Sequence, residues 1–263
     1  MAANPQADGL QFESVDETDS THADLVARAR AGAVAAPVVR SALVQRAGRG
    51  RMGRAWLGSA RGSLLFSLAL PWSLPPASTP AVSLACGCAL ADAIERTSGL
   101  ASAGGRIALK WPNDLLLAGS KLSGILVELV QDGAGRATLV AGAGVNLALD
   151  AQARAALGGI ATDLAAPLGR AVALDLREPL LQACGHAMRA ACEAYEAQGF
   201  AAFREAYLAR LAWRGERVRL VDDALGTRSG HLVGIDAHGR VVLGTSAGLE
   251  AVSGGELRRE AAP

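Results

Sequence analysis

Lys110 and Lys121 are the only lysines in this 263-residue chain, whose other 24 basic residues are arginines. A compact, mobile ammonium kept at two neighbouring places, where the rest of the chain uses planar guanidinium, suits contact with a small anion. Upstream, Gln45-Arg46-Ala47-Gly48-Arg49-Gly50-Arg51-Met52-Gly53-Arg54 combines three glycines with Arg49, Arg51 and Arg54 at spacings of two and three. Glycines let backbone N–H groups close on an anion, and the arginines can converge on it with forked donors. No Gly-Lys-Ser/Thr follows, so this is not a Walker phosphate loop, nor does it fit the dinucleotide fingerprint. Gly-Arg repeats also occur in nucleic-acid-binding segments, but here the repeat is single and flanked by strand-like sequence.

Three further motifs could join that chemistry. Lys110-Trp111-Pro112-Asn113-Asp114 brings a cation, an aromatic face, a rigid bend and two polar groups into five residues. Read alone it is also an ordinary Pro-Asn turn beside a core tryptophan. In the run from Lys121 to Glu128, strand alternation puts Lys121, Ser123, Ile125 and Val127 on one face and Leu122, Gly124, Leu126 and Glu128 on the other. Glycine inside a strand marks close approach of a ligand or another backbone. Gly142-Ala143-Gly144-Val145-Asn146 repeats the pattern of small residues followed by an amide, at an expected strand end. His22, His186, His231 and His238 lack metal-type spacing, as do Cys86, Cys88, Cys184 and Cys192, so no protein metal site is expected.

The elements that must position these groups follow from the pattern along the chain. Strands are expected over 10–15, 37–44, 63–70, 106–111, 115–118, 121–130 and 136–141, and helices over 21–32, 81–97, 151–157, 177–198 and 199–213. Such a meander with helices packed on one face is α+β. From Gly215 the pattern changes to five short strands, with turns at Asp222-Asp223, 236–239 and 246–248, which suggests a small β-barrel. The expected division is 1–213 and 214–263.

Composition narrows the class. The chain is 51% hydrophobic with a net charge of +1, which excludes disorder and disfavours a nucleic-acid coat. That balance hides a segregation: residues 1–24 carry six acids and no basic residue, whereas residues 25–91 carry eight arginines and no acid. Prolines 71, 75, 76 and 80 divide the longest uncharged stretch into pieces too short for a membrane span. With no signal-like N-terminus and unpaired cysteines, a cytoplasmic protein with reduced thiols is expected.

In order, Asp19-Ser20-Thr21, Gln45–Trp56 (QRAGRGRMGRAW), Lys110–Asp114 (KWPND), Lys121–Glu128 (KLSGILVE) and Gly142–Asn146 (GAGVN) resemble the biotin protein ligases. Gly254-Gly255-Glu256-Leu257-Arg258 is similar to that family's ending. The resemblance implies a class II synthetase-like catalytic domain and an SH3-like C-terminal barrel. It implies activation of biotin by ATP, with Mg²⁺, to biotinyl-5′-AMP, and transfer to a lysine of a biotin carboxyl carrier domain. Arg49, Arg51 and Lys121 would be the catalytic residues. Biotin would be held by Ser20, Thr21, His22, Gln45, Arg49, Gly50, Arg51 and Lys121, with Gly124 leaving room for it. Arg51, Arg54, Trp56, Lys110, Asn113, Asp114 and Asn146 would serve the nucleotide side, Trp56 offering a stacking face for adenine.

The sequence departs from the family at three places: His22 where Asn is frequent, Arg46 where an uncharged residue is usual, and Met52 where a basic residue is common. About 18 residues precede Asp19, too few for a winged helix, so neither DNA nor a membrane is an expected partner. The resemblance implies a monomer or homodimer. Two other functions remain at this stage: a lipoate or other acyl-carrier ligase of the same fold, and a non-catalytic nucleic-acid-binding module.

Overall fold

The computed structural model describes residues 9–222 and 226–260. It opens with strand β1 (Gln11–Thr18), helix α1 (Thr21–Arg30) and strand β2 (Val38–Gln45), then a loop containing a short 3-10 turn at Arg51–Gly53. Strand β3 (Ser63–Trp72) and helix α2 (Val82–Ser98) follow, then strands β4 (Ile107–Lys110), β5 (Asp114–Leu117), β6 (Ser120–Gln131) and β7 (Ala137–Asn146). Three short helices, α3 (Ala151–Ala156), α4 (Ala165–Leu168) and α5 (Arg170–Asp175), lead to α6 (Arg177–Gln198) and α7 (Ala201–Arg210). Strands β8 (Arg217–Asp222), β9 (Gly226–Ile235), β10 (Val241–Thr245), β11 (Gly248–Val252) and β12 (Glu256–Arg259) complete the chain.

The first seven strands form one mixed sheet in the order β1-β2-β3-β7-β6-β5-β4, parallel only between β1 and β2. One face is covered by helices along its length and the other only in part. Leu64, Phe66, Leu68, Leu139 and Ala141 pack with α2 and α6 in the main core. Ala69, Val130 and Val140 point the other way and meet Leu25, Val26 and Ala29 of α1. The α+β class therefore matches expectation, while α1 departs from the one-face arrangement. Its apolar stripe is spaced to cover only the α1 end of the second face, and the rest of that face stays open.

Small residues account for another difference. Residues 142–146 continue β7 rather than ending it, because β3 and β6 pair with them along their whole length, from Ser67↔Gly142 to Ser63↔Asn146 on one side and from Leu126↔Gly142 to Ser123↔Val145 on the other. Two neighbours satisfy every backbone group that a weak strand former would otherwise leave exposed.

The five C-terminal strands form a separate antiparallel sheet in the order β11-β10-β9-β8-β12. Among the described residues no pairing of β11 with β12 closes it into a barrel. The turn expected at Asp222-Asp223 falls on residues 223–225, outside the described residues. This sheet docks on the larger unit where Trp111 Nε1 donates to Gly239 O at 3.0 Å and Arg204 Nε donates to Ile235 O at 3.0 Å. No described helix is long and apolar enough to cross a membrane.

Arg210, at the end of α7, ties that docking region to α2: its guanidinium donates to Glu95 at 2.7 Å and Asp92 at 2.6 Å, and to Ile107 O at 3.0 Å. Arg210 and Glu95 side chains are each only 15% exposed. Removing one partner of such a pair strands the other in a poorly solvated site. Arg210→Ala is expected to lose about 2–3 kcal/mol of unfolding free energy, measured by urea denaturation, with Arg210→Lys recovering only part of it.

Candidate active site

Two neighbouring rungs of the sheet make a floor whose centre, at Gly124, Gly142 and Gly144, has no side chains. Asp114, Gly124, Gly144 and Leu65 lie side by side across β5, β6, β7 and β3, and Leu126, Gly142 and Ser67 form the next rung. The Gly-Arg loop folds over this floor as a small hairpin, closed by Gly50 N donating to Arg54 O at 2.7 Å and Trp56 N donating to Gly48 O at 2.9 Å. That geometry lays the Trp56 indole against the glycines. A Cβ at Gly144 would collide with the ring, and one at Gly124 would stand 3.0 Å from it. A cavity of about 260 Å³ lies between loop and floor, and all the site residues assigned from sequence line it.

Lys121 reaches the cavity by a route that alternation misses. Leu115 pairs with Ser123 but Leu116 pairs with Lys121, so Leu122 is an extra residue, a β-bulge. The bulge reverses the facing of Lys121 relative to the rest of β6. Lys121 Nζ thus lies on the same face as Gly124, whose Cβ would be 3.2 Å from it. The expected grouping of Lys121 with Ser123, Ile125 and Val127 is corrected accordingly: Leu122 joins Ile125 in the core, and Lys121 joins the site face.

At one end of the cavity the charges are arranged in a chain. Asp114 Oδ1 lies 2.6 Å from Lys121 Nζ, and Asp114 Oδ2 lies 3.5 Å from Lys110 Nζ. Arg51 donates to Asn113 Oδ1 at 3.3 Å, and Asn113 is oriented by its own donation to Ile125 O at 2.8 Å. Burial pushes the Arg51 guanidinium below its ordinary value against the pull of Asp114, so its charge is partly stripped of water. Lys121 Nζ also stands 5.6 Å from the centre of the Trp56 ring. Asn146 is buried, donating to Thr162 O at 3.0 Å while its Oδ1 has no hydrogen bond.

Elsewhere the lining is built of the neutral hydroxyl and amide groups of Ser20, Thr21, Gln45 and Ser67, with His22 beside them. Ser20 caps α1, its Oγ accepting from Ala23 N at 3.3 Å. Both Thr21 N and Thr21 Oγ1 donate to Gln45 Oε1, at 2.8 and 2.9 Å, and Thr21 Oγ1 shares a 2.9 Å hydrogen bond with Ser67 Oγ. Such a patch offers both donors and acceptors to a compact neutral group.

Three contributors were not assigned from sequence. Ser67 is a lone hydroxyl within the apolar run Leu64–Leu70, and that was its signal. Glu128 sits beside His22 at 3.5 Å. Glu256, on β12 of the second sheet, accepts from Arg54 at 2.6 Å and stands 3.9 Å from Lys110 Nζ. A contact spanning 202 positions leaves no trace in local pattern.

A mixed sheet with a glycine-centred floor, a cationic end, a polar end and a loop folded over both defines an α+β domain whose cavity is suited to anions. The model for the biotin/lipoate A/B protein ligase family matches residues 14–146, and the chain belongs to that family. It is 34% identical over 244 residues to the biotin–[acetyl-CoA-carboxylase] ligase of Paracoccus denitrificans, covering 91% of this chain and 97% of that protein. Over 138 residues it is 40% identical to the ligase of the same name from Mycobacterium tuberculosis, of which the match spans 49%. The structure of the biotin protein ligase from Aquifex aeolicus in complex with biotin and ATP superposes with a TM-score of 0.79 at 26% identity, covering 95% of this chain and 99% of that one.

Glu256 gives the site a measurable acid limit. Burial raises its carboxyl, but hydrogen bonds from Arg54 and Arg258 and the charge of Lys110 outweigh that and hold it at about 2, below the ordinary 4.5. A depressed acid contributes stability that is fully present above the unfolded value and lost as pH falls through the folded one. Glu256→Gln is therefore expected to lower the melting temperature above about pH 4.5 and to flatten its decline between about pH 4.5 and 2, in thermal melts compared with the unsubstituted chain.

Proposed function

We infer that this chain activates biotin with ATP and transfers it to a lysine of a biotin carboxyl carrier domain. Family membership supports this reading, but the observation that carries it is the cavity itself. Arg49, Arg51, Arg54, Lys110 and Lys121 converge there, and a neutral polar patch lies at the far end. In the first step a biotin carboxylate oxygen attacks the α-phosphorus of ATP, a P–O bond breaks, and pyrophosphate leaves. In the second, the carrier amine attacks the acyl carbon, the bond to AMP breaks, and an amide forms with release of a proton.

Two anions in contact repel, so the barrier falls mainly through fixed cations and alignment. Lys121 takes the junction of carboxylate and phosphate, because its short ammonium can slide from Asp114 to an incoming oxygen. Arg49 and Arg51 close over the same junction with the Gly50 backbone. Ser20, Thr21, Gln45 and His22 take the bicyclic end of biotin, and Gly124 leaves the room. Arg54, Trp56, Asn113 and Asn146 hold the nucleotide, with Trp56 swinging from the glycine floor to an adenine face. Lys110 and Asp114 meet the phosphates and then the incoming amine.

Mg²⁺ fits this site as an ion carried by the nucleotide. Asp114 and Glu256 are the only carboxylates lining the cavity, and no group of three metal-ligating side chains exists among the described residues. Mg²⁺ commonly uses one or two carboxylates together with substrate phosphates. Asp114 would hold it, and it would supply charge neutralisation at the phosphates. The two units, 1–213 and 214–263, act as catalytic domain and lid support, the latter through Glu256. The carrier is the domain of a biotin-dependent carboxylase, and the protein works in the cytoplasm as a monomer or homodimer.

The test is transfer of labelled biotin to a carrier domain in the presence of ATP and Mg²⁺, with lipoate as competitor. Biotin is expected on the carrier lysine, undiminished by lipoate; absence of transfer under all conditions refutes the reading. Lys121→Ala is expected to slow pyrophosphate release at least about 100-fold while leaving the melting temperature within a few degrees. Trypsin cleavage at Arg49, Arg51 and Arg54 is expected to be suppressed when biotin and ATP are added together.

A further inference from the structure

Trp213 stands at the junction between α7 and β8 with a backbone φ of 62°. That left-handed region is costly for an L residue with a bulky side chain, and such residues persist where the surroundings over-determine them. Here the chain is pinned on both sides. Ala212 N donates to Leu109 O at 2.9 Å and Gly215 N donates to Leu232 O at 2.8 Å, so one flank is bonded to β4 and the other to β9. Glu216 N closes the turn by donating to Trp213 O at 2.9 Å. The outcome is a fixed place for the indole: it packs against the main core, and Lys110 Nζ stands 5.6 Å from its ring centre.

Lys110 is held differently from Lys121. Lys121 Nζ lies 2.6 Å from Asp114 Oδ1, a hydrogen-bonding distance. The carboxylate oxygens paired with Lys110 Nζ, from Asp114 at 3.5 Å and Glu256 at 3.9 Å, stand too far for a strong hydrogen bond. An aromatic face attracts a cation within about 6 Å of its centre without using any of the N–H donors. The indole therefore fixes where the ammonium sits and leaves its donors for an incoming oxygen. Trp56 stands at the same 5.6 Å from Lys121, but it belongs to the Gly-Arg loop, whereas the backbone around Trp213 is bonded to both sheets.

We propose that Trp213 is a positioning residue whose indole holds the Lys110 ammonium at the cationic end of the cavity with its donors free for the phosphates of the nucleotide. This rests on the biotin reading above and extends the working parts of the site to a residue outside the cavity lining. The junction that orients the second sheet thereby also sets Lys110, and Glu256 from that sheet pairs with the same ammonium.

The experiment uses the full chain with isotope-labelled lysine. Two lysines give two sets of ε-methylene signals, so each ammonium is followed alone. In the unsubstituted protein the Lys110 ε protons are expected to show nuclear Overhauser contacts to the Trp213 ring. Trp213→Leu should move the Lys110 signals and leave those of Lys121 in place, while Trp213→Tyr, which keeps an aromatic face, should retain the contact. Biotin-dependent exchange of pyrophosphate into ATP supplies the functional reading. Trp213→Leu is expected to lose at least about fivefold in kcat/KM for ATP, with biotin affinity by calorimetry unchanged within about twofold, and Trp213→Tyr to recover most of that loss. Lys110→Gln tests the route: added to it, Trp213→Leu is expected to cost no more than about twofold further, whereas a residue that merely supports the junction would cost the same in both backgrounds. Absence of the Lys110–Trp213 contact in the unsubstituted protein, an unchanged exchange rate in Trp213→Leu, or an equal further loss in the Lys110→Gln background overturns the proposal, and the first of these needs no variant to fold. Unsubstituted protein that shows the contact yet exchanges no pyrophosphate in the presence of biotin defeats the biotin reading itself and this inference with it.

Discussion

Among the described residues five cations share one cavity with two carboxylates, and the rest of the site follows from managing that excess. At separations of a few ångströms, like charges repel by several kcal/mol in poorly hydrated surroundings, at about 4 kcal/mol for 4 Å and an effective dielectric constant near 20. Asp114 and Glu256 relieve part of this, each standing between two cations: Lys121 and Lys110 for the first, Arg54 and Lys110 for the second. The residue is a positive field that incoming anions discharge. A carboxylate and a phosphate that would repel each other in water are each attracted here, so the field brings together two reactants that would otherwise stay apart.

That arrangement needs both units of the chain. The larger unit supplies the floor and all five cations, Lys110 on β4, Lys121 on β6 and three arginines on the loop, but Glu256 comes from the second sheet, and the Trp111 to Gly239 hydrogen bond keeps that sheet at the cavity's edge. Arg54, on the loop, is thereby tied to a strand that the larger sheet does not contain. The loop's position is consequently a balance between the Glu256 carboxylate and whatever anion enters, and the second unit contributes to closure without offering a catalytic group of its own.

Much of this was legible in residue types and spacing. Glycines at 124, 142 and 144 announced close approach, and the spacing of the arginines at 49, 51 and 54 announced a cationic cluster, because both signals are local. Three features were not local. The bulge at Leu122 changes the facing of Lys121 by pairing geometry with β5, and a hydrophobic alternation of KLSGILVE gives no sign of it. The extension of β7 through glycine depends on its two neighbours. Helix α1 has an apolar stripe like the other helices, and only the sheet's second face decides where that stripe goes.

The bulge carries a further consequence for how the site is built. Without it, Lys121 would share a face with Ile125 and be directed into the core between sheet and α2, where an unpaired ammonium is strongly disfavoured. With it, one extra residue buries Leu122 in that core and turns the ammonium to Asp114. The same insertion thus serves the packing on one face and the cavity on the other, and the Lys121 ammonium is held there by the backbone of two strands rather than by a loop. In the proposed two-step transfer the Gly-Arg segment would move while Lys121 stays on its strand, a division between a fixed charge and movable ones that suits an acyl intermediate first shielded and then exposed to an amine.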